Sequence, residues 1–310
     1  MKLIYELFPG RLQSTFACLE NSLKEIEEIR LRINCPATVL TGGSEMFISK
    51  DGKLTYDSRE GYRMEVDDMG DIVNHICNAS PYAYEEEIRR GYITIKGGHR
   101  VGLSGQAVLL ENGSVKTIKN ITFLNARIAH EVVGAADRLL PYLYEKDRVW
   151  NTLVISPPGF GKTTLLRDMV RSISNGNMYA EGKGCVIIDE RSELAGSYNG
   201  IPQLDVGIRT DVMDSCPKSI GMMMAVRYMA PKVMAVDELG TKDDIRAVFS
   251  VIRSGCSLLA TMHGDCLDEI VERSFLKEVI NEKVFSRYIV IKNRNRDIEI
   301  YDGDRNKCLK

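Results

Sequence analysis

The sequence has little that would direct it into a membrane or out of the cell. Its most apolar stretch, Gly221–Val236, is interrupted by Arg227 and Lys232, so no segment is apolar enough to span a bilayer. The N-terminal segment carries charges at Lys2 and Glu6 and has no apolar core of the kind that signal peptides need. We therefore expect a cytoplasmic protein without an integral membrane segment.

Clustered metal ligands and a strong net charge are also missing. None of the eight cysteines forms a C-x-x-C pair, and the four histidines do not complete a zinc site. Without a signal peptide, such scattered cysteines are expected to be reduced thiols. The formal net charge is −2 and there is one tryptophan, so no basic, aromatic-bearing strip is evident and we expect no nucleic-acid partner.

The clearest positive feature is a glycine-rich turn between an apolar strand and a helix. Leu153–Ile155 precede the segment Ser156–Thr164, after which apolar residues follow with helical spacing. This is the pattern of a P-loop, in which glycines let backbone N–H groups surround a phosphate and the helix N-terminus adds positive charge. Ser156 takes the place of the usual first glycine. The candidate ATP-binding residues are Pro158, Gly159, Phe160, Gly161, Lys162, Thr163 and Thr164.

A second apolar strand, Val233–Val236, ends in two carboxylates and has the form of a Walker B strand. Asp237 is expected to hold Mg²⁺ together with Thr163, partly through water. Glu238 is the candidate general base for the attacking water, and Lys162 is expected to contact the β- and γ-phosphates from a solvent-facing position. These residue types at this spacing predict a Mg²⁺-dependent ATPase.

Two further strands end in polar residues. Val186–Ile188 lead into the acidic segment Asp189–Glu193, in which Glu190 is a second candidate for the catalytic acid. We expect this strand to lie next to the P-loop strand or one strand away. Another apolar strand ends in Thr261 and His263, where a polar side chain can contact the γ-phosphate, so His263 is also a catalytic candidate.

The spacing of apolar residues predicts an α/β protein of two domains. The pattern over residues 1–145 predicts a smaller α+β domain. This domain includes a helix over residues 12–26 and ends in a linking helix at 134–144. Residues 146–310 alternate strand and helix, which implies a mostly parallel sheet with helices on both faces. One helix is expected from 268 to 281 and a final hairpin from 287 to 301, turning at residues 293–296.

Four ordered motifs resemble the secretion-ATPase superfamily, which includes the type II and type IV secretion motors and the pilus-retraction motors. Its Walker A loop, acidic Asp box, Walker B strand and His box correspond to Ser156–Thr164, Asp189–Glu193, Arg227–Leu239 and Ala260–His263. The resemblance implies a RecA-like P-loop ATPase domain with a smaller N-terminal α+β domain, and a homo-oligomeric ring, expected to be a hexamer. It also implies that arginines of the N-terminal domain contact the nucleotide phosphates, and Arg100 and Arg127 are the candidates.

The chain further resembles the stage III sporulation protein AA family of endospore-forming bacteria. Glu28–Arg32, Gly97–Gly102 and Leu165–Asp168 extend this resemblance over nearly the whole chain. It implies a cytoplasmic ATPase of the mother cell, peripheral to a membrane complex. The same resemblance implies that the ATPase powers or assembles a transenvelope channel during endospore formation, with membrane-bound proteins of the same operon as expected partners.

The resemblance has two departures, and both concern the catalytic acid. Asp189-Glu190-Arg191 stands where the motors usually have Glu-Asp-Pro, and Asp237-Glu238 stands where they often have Gly-Glu. Which acid is the general base is therefore open at the level of sequence. Three other functions also remain open: a nucleotide-dependent scaffold or switch with little turnover, a nucleic-acid motor, and a small-molecule kinase, although no arginine-rich lid is evident.

Overall fold

The computed structural model describes residues 3–80, 84–273, 276–293 and 297–309, and the chain divides into two compact units, Met1–His130 and Glu131–Lys310. This division differs from the predicted boundary at 145/146. The reason is burial: Ala136, Leu139 and Leu143 pack into the apolar core of the second unit. The linking helix expected at 134–144 is instead a series of turns followed by one short helix, α5 (Leu140–Leu143).

The first unit is an α+β domain built on a seven-stranded antiparallel sheet with the order β4-β3-β2-β1-β7-β6-β5. Its strands are β1 (Ile26–Arg32), β2 (Thr38–Thr41), β3 (Ser44–Ile48), β4 (Leu54–Thr55), β5 (Tyr92–Ile95), β6 (His99–Leu109) and β7 (Val115–Arg127). Its helices are α1 (Leu3–Leu7), α2 (Gly10–Phe16), a 3₁₀ helix (Ala17–Ser22), α3 (Val66–Ile76) and α4 (Glu85–Arg90). The single helix predicted over residues 12–26 is therefore wrong, because the α-helix ends at Phe16, whose ring stacks on Phe8 with centroids 3.9 Å apart.

The second unit contains an eight-stranded sheet with the order β12-β11-β13-β14-β10-β15-β16-β17. Its strands are β10 (Thr152–Ser156), β11 (Cys185–Asp189), β12 (Thr210–Asp214), β13 (Val233–Val236), β14 (Ser257–His263), β15 (Arg287–Ile291), β16 (Ile298–Asp302) and β17 (Lys307–Leu309), and a separate small ribbon joins β8 (Tyr144–Glu145) to β9 (Arg148–Val149). After α5, its helices are α6 (Lys162–Asn175), α7 (Lys218–Tyr228), α8 (Lys242–Arg253), α9 (Leu267–Glu272) and α10 (Lys277–Asn281). In the order of the sheet, the six strands β12, β11, β13, β14, β10 and β15 are parallel to one another. β16 and β17 add an antiparallel edge.

The sheet of the second unit is covered on both faces. Along β10, Leu153 and Ile155 enter one apolar cluster, which also holds residues of α7 to α10, whereas Val154 enters the cluster formed with α5 and α6. Alternate residues of a strand point to opposite faces, so a strand buried on both sides must be apolar throughout. This explains why the inner strands β10, β11 and β13 are largely apolar, and the parallel pairing places their carboxyl ends at one edge of the sheet.

Three expectations about this unit need correction. β11 does not lie beside β10 or one strand away, because β13 and β14 separate them. The half-exposed edge strand β12 was not predicted, and the single helix expected over 268–281 is two short helices, with residues 274–275 outside the described chain. The C-terminal hairpin is present as β15 and β16, although residues 294–296 of its expected turn lie outside the described residues.

Within the described part of the chain, we find no helix with the length and apolarity needed to cross a bilayer.

Candidate nucleotide site

The predicted P-loop joins β10 to α6. All residues of β10 are buried, and the loop turns through Gly159 and Gly161, whose φ angles are 79° and 88°. Only glycine adopts such angles without a steric cost, so these two positions require it. Gly161 immediately precedes α6, whose first residue is Lys162. Lys162 is only 9% exposed, which differs from the solvent-facing position expected for it.

His263 brings this lysine and one of the candidate acids together. In the parallel pairing of β10 with β14, His263 lies opposite Ser156, at the start of the P-loop. Its Nε2 is 3.0 Å from Oε1 of Glu238 and 3.4 Å from Nζ of Lys162. One ring nitrogen cannot donate to the carboxylate and accept from the lysine at the same time, and the shorter distance favours donation to Glu238.

Asp237 is held by a hydroxyl group on each of its carboxylate oxygens. The Thr163 hydroxyl donates to Oδ2 at 2.9 Å, and the Thr261 hydroxyl donates to Oδ1. Thr163 lies in the first turn of α6 and Asp237 directly follows β13. The structure therefore brings together the two residues that the sequence predicts as Mg²⁺ ligands.

Glu238 adopts a backbone conformation that is unusual for its residue type, with φ at 53°. Non-glycine residues in this left-handed region are uncommon and concentrate at functional sites. The backbone N–H of Glu238 donates to the Thr261 hydroxyl at 2.8 Å, and its second carboxylate oxygen is 3.3 Å from the guanidinium of Arg191. The carboxylate is thus positioned between His263 and Arg191, beside the P-loop.

The acidic segment after β11 is arranged differently. Asp189 is 1% exposed and accepts backbone N–H groups from Glu193, Leu194 and Ala195. Burial raises the pKa of Asp189 to about 6, despite the opposing effect of these hydrogen bonds. Asp189 therefore shapes the turn that follows its own strand.

Glu190 is engaged by a lysine instead of the P-loop residues. Its Oε2 accepts a hydrogen bond from Lys218 Nζ at 2.5 Å, at the start of α7. Burial opposes ionisation of Glu190, but the hydrogen bond and charge of Lys218 outweigh it and hold the pKa below its ordinary value. Of the two candidate acids, only Glu238 contacts His263 among the described residues.

Arg100 and Arg127 lie in the first unit, side by side. They are directly opposite each other in the pairing of β6 with β7. The Arg100 guanidinium lies 3.6 Å from the centroid of the Tyr92 ring, and Nε of Arg127 is 3.3 Å from Oε1 of Glu28. The sequence names both arginines as candidates but does not predict these contacts, which depend on the register of the paired strands.

Sequence analysis missed a buried ionic group on α6. Asp168 is 3% exposed and accepts the backbone N–H groups of Gly134 and Ala136, as well as Nε of Arg171. It thereby fixes the segment that enters the second unit to the P-loop helix. The available signal was a pair of charged residues, Arg167 and Asp168, directly between apolar residues that α6 buries.

The donor set at Thr163 and Asp237 fits Mg²⁺. Mg²⁺ takes oxygen ligands, commonly one or two from the protein together with waters and nucleotide phosphates. A hydroxyl and a carboxylate provide such oxygens beside the P-loop. Across the described ranges of the chain, no group of three or more His, Cys, Asp or Glu side chains is arranged to hold a metal, so a site built entirely from protein ligands is not observed there.

Comparison with known proteins supports both the family and the fold. The family Sporulation stage III, protein AA matches residues 1–307. Stage III sporulation protein AA of Bacillus subtilis is 41% identical over 312 aligned residues, covering 99% of this chain and 96% of that protein.

Solved structures of ATPases share the fold. The ATPase DotB of Yersinia pseudotuberculosis superposes with a TM-score of 0.62 at 14% identity, covering 96% of this chain and 81% of that one. The pilus retraction motor PilT with bound ADP superposes with a TM-score of 0.58 at 14% identity, covering 94% of this chain and 78% of that one. The predicted α/β fold class, a RecA-like domain with a smaller N-terminal α+β domain, is confirmed.

Proposed function

We propose a function for a chain that belongs to the Sporulation stage III, protein AA family: it binds Mg·ATP at its P-loop and hydrolyses it. One observation carries the proposal. Lys162, Thr163, Asp237, Glu238 and His263 meet at the carboxyl ends of neighbouring strands β13, β14 and β10. Ligands of parallel α/β sheets bind at this edge, and the named ATPases that share the fold make nucleotide the fitting ligand.

Each residue has a proposed task. The loop from Pro158 to Thr164 surrounds the phosphates with its backbone N–H groups, and Lys162 adds positive charge to them. Glu238 accepts a proton from the attacking water, and His263 orients its carboxylate through the 3.0 Å contact. Glu190 is the less favoured base because Lys218 occupies its carboxylate.

Mg²⁺ would be held by the oxygens of Thr163 and Asp237, and when bound it supplies neutralising charge to the phosphates. The chain's own contribution is to place those two oxygens beside the loop, with Asp237 fixed from both sides by hydroxyl groups. Positive charge from Arg100 or Arg127 is proposed to assist phosphoryl transfer, as the resemblance to the secretion motors implies.

The biological setting is proposed from the family and the resemblance. The chain would act in the cytoplasm of the mother cell as a homo-oligomeric ring, with a hexamer as the expected form. It would be peripheral to a membrane complex whose membrane-bound proteins are encoded in the same operon. Hydrolysis would power or assemble a transenvelope channel during endospore formation.

The test measures ATP turnover and ATP affinity together with oligomeric mass, with and without nucleotide. Lys162→Ala should abolish ATP binding and turnover while the protein stays folded. Lys183→Ala is a matched control, because this lysine is also largely buried but pairs with Asp147 and lies just before the amino end of β11. A folded Lys162→Ala protein with unchanged ATP affinity would refute the P-loop assignment.

One observation favours a second function, a nucleotide switch with slow turnover. The carboxylate of Glu238 is shared between His263 and Arg191, so it is already engaged before it can accept a proton. A switch would bind Mg·ATP tightly, change its oligomeric mass, and turn over too slowly for the Glu238→Gln substitution to matter. The same assays separate the two functions.

A further inference from the structure

Thr261 lies where the regular pairing of two central strands ends. The register of β13 with β14 runs to Val236 opposite Ala260, and Thr261 is the next residue of β14. It is completely buried, although it carries a hydroxyl group. A buried hydroxyl must have hydrogen-bond partners, because an unsatisfied one is destabilising.

The partners of Thr261 are three consecutive residues beyond the end of β13. Its hydroxyl donates to the carboxylate of Asp237 and accepts the backbone N–H of Glu238 at 2.8 Å. Its backbone carbonyl accepts the N–H of Leu239 at 2.9 Å. The hydroxyl therefore uses its one donor on Asp237 and one acceptor position on Glu238.

These contacts explain how an unfavourable backbone conformation persists. Glu238 has a φ angle of 53°, in the left-handed region that costs a non-glycine residue energy. Such a conformation is stable only when the surrounding structure fixes it. Thr261 provides that constraint. It accepts the backbone N–H groups of Glu238 and Leu239, which lie on either side of the Glu238 Cα, and it also binds the carboxylate of Asp237.

We propose that Thr261 is a positioning residue, which fixes Asp237 for Mg²⁺ and directs the Glu238 side chain toward His263. The inference rests on the proposed function and differs from the sequence-based expectation that a polar side chain at the end of this strand can contact the γ-phosphate. It assigns the hydroxyl a role within the protein, since its donor and acceptor contacts are already made to Asp237 and Glu238. The hydroxyl, and not the shape of the side chain, is what the site requires.

The experiment compares two replacements at this position with one at Asp237. Thr261→Val keeps the shape and removes the hydroxyl, Thr261→Ser keeps the hydroxyl, and Asp237→Asn is the reference for a disrupted metal ligand. For each protein, ATP affinity is measured with Mg²⁺ and with a chelator, and the ratio of the two dissociation constants gives the gain due to Mg²⁺. If Thr261→Val does not fold, Thr261→Ala replaces it.

We expect Thr261→Val to reduce the Mg²⁺-dependent gain about tenfold or more, as the loss of hydrogen bonds at charged groups typically does. Affinity in chelator should be unchanged, because the P-loop is intact, and Thr261→Ser should behave as the wild type. A Thr261→Val protein with the wild-type ratio would overturn the inference. So would a wild-type protein whose affinity is indifferent to Mg²⁺.

Turnover is the second measurement, and it separates this inference from the proposed function. With Thr261→Val, kcat should fall, and KM for ATP should rise in line with the weaker affinity for Mg·ATP. If the wild-type protein binds Mg·ATP without hydrolysing it, hydrolysis is refuted, and the Mg²⁺ ratio still decides the role of Thr261. If turnover is normal in the wild type and in Thr261→Val alike, hydrolysis stands and the positioning role is overturned.

Discussion

Replacing Glu238 by glutamine tests whether this acid activates the attacking water. Glutamine has the same size, and its Oε1 can still accept a hydrogen bond from His263 Nε2, which lies 3.0 Å from the Glu238 carboxylate. An amide cannot take a proton from water, however. We therefore expect the variant to bind Mg·ATP and to hydrolyse it slowly.

The size of the effect follows from comparing two contributions. Removing a positioned general base costs typically 10²–10⁴-fold, or about 3–5 kcal/mol of activation free energy. Losing the ion pair with Arg191, whose side chain is 61% exposed, costs less than about 1 kcal/mol of stability. Loss of turnover without unfolding should therefore dominate the phenotype.

The assay is steady-state turnover at saturating Mg·ATP, accompanied by ATP affinity and thermal unfolding. Glu190→Gln is the matched control, because it makes the same chemical change on the adjacent strand, where the carboxylate binds Lys218. Its turnover should stay within about threefold of the wild type, as for a substitution outside the reacting groups. Normal turnover in Glu238→Gln together with a large loss in Glu190→Gln would refute the assignment of the base.

Four other substitutions test three separate features. Burial raises the pKa of Asp189 to about 6, so the stability it contributes is present below its unfolded pKa near 4 and is lost as pH rises through 6. Between pH 4.5 and 7 the loss is on the order of 2 kcal/mol in urea unfolding curves, and Asp189→Asn should remove this dependence. Asp168→Ala should lower the unfolding free energy by about 3 kcal/mol, since Arg171 and two backbone N–H groups lose their partner. A denaturant titration measures this, and a change below about 0.5 kcal/mol would contradict it. Arg100→Ala or Arg127→Ala should lower kcat more than ATP affinity in the assembled protein, and wild-type turnover in both would leave the first unit without a part in hydrolysis.

Local signals predicted much of the second unit. The P-loop, the strand before it and the helix after it follow from a short run of residues, because glycine φ angles and buried apolar strands are properties of neighbouring positions. The strand that ends before Asp237 was likewise readable from four consecutive apolar residues. Less was readable where segments carry weak patterns, as in β12, which is half-exposed at the edge of the sheet.

What the sequence by itself determined is therefore the inventory of the site: a phosphate-binding loop, strands that end in acids, and a histidine at the end of a core strand. Only the tertiary structure decided how they combine. The order β13-β14-β10 places Glu238 beside His263 and leaves Glu190 with Lys218, and the end of the β13–β14 pairing gives Thr261 its contacts. The physical reason is that strand order and register come from the simultaneous burial of segments far apart in the chain, which no local pattern encodes.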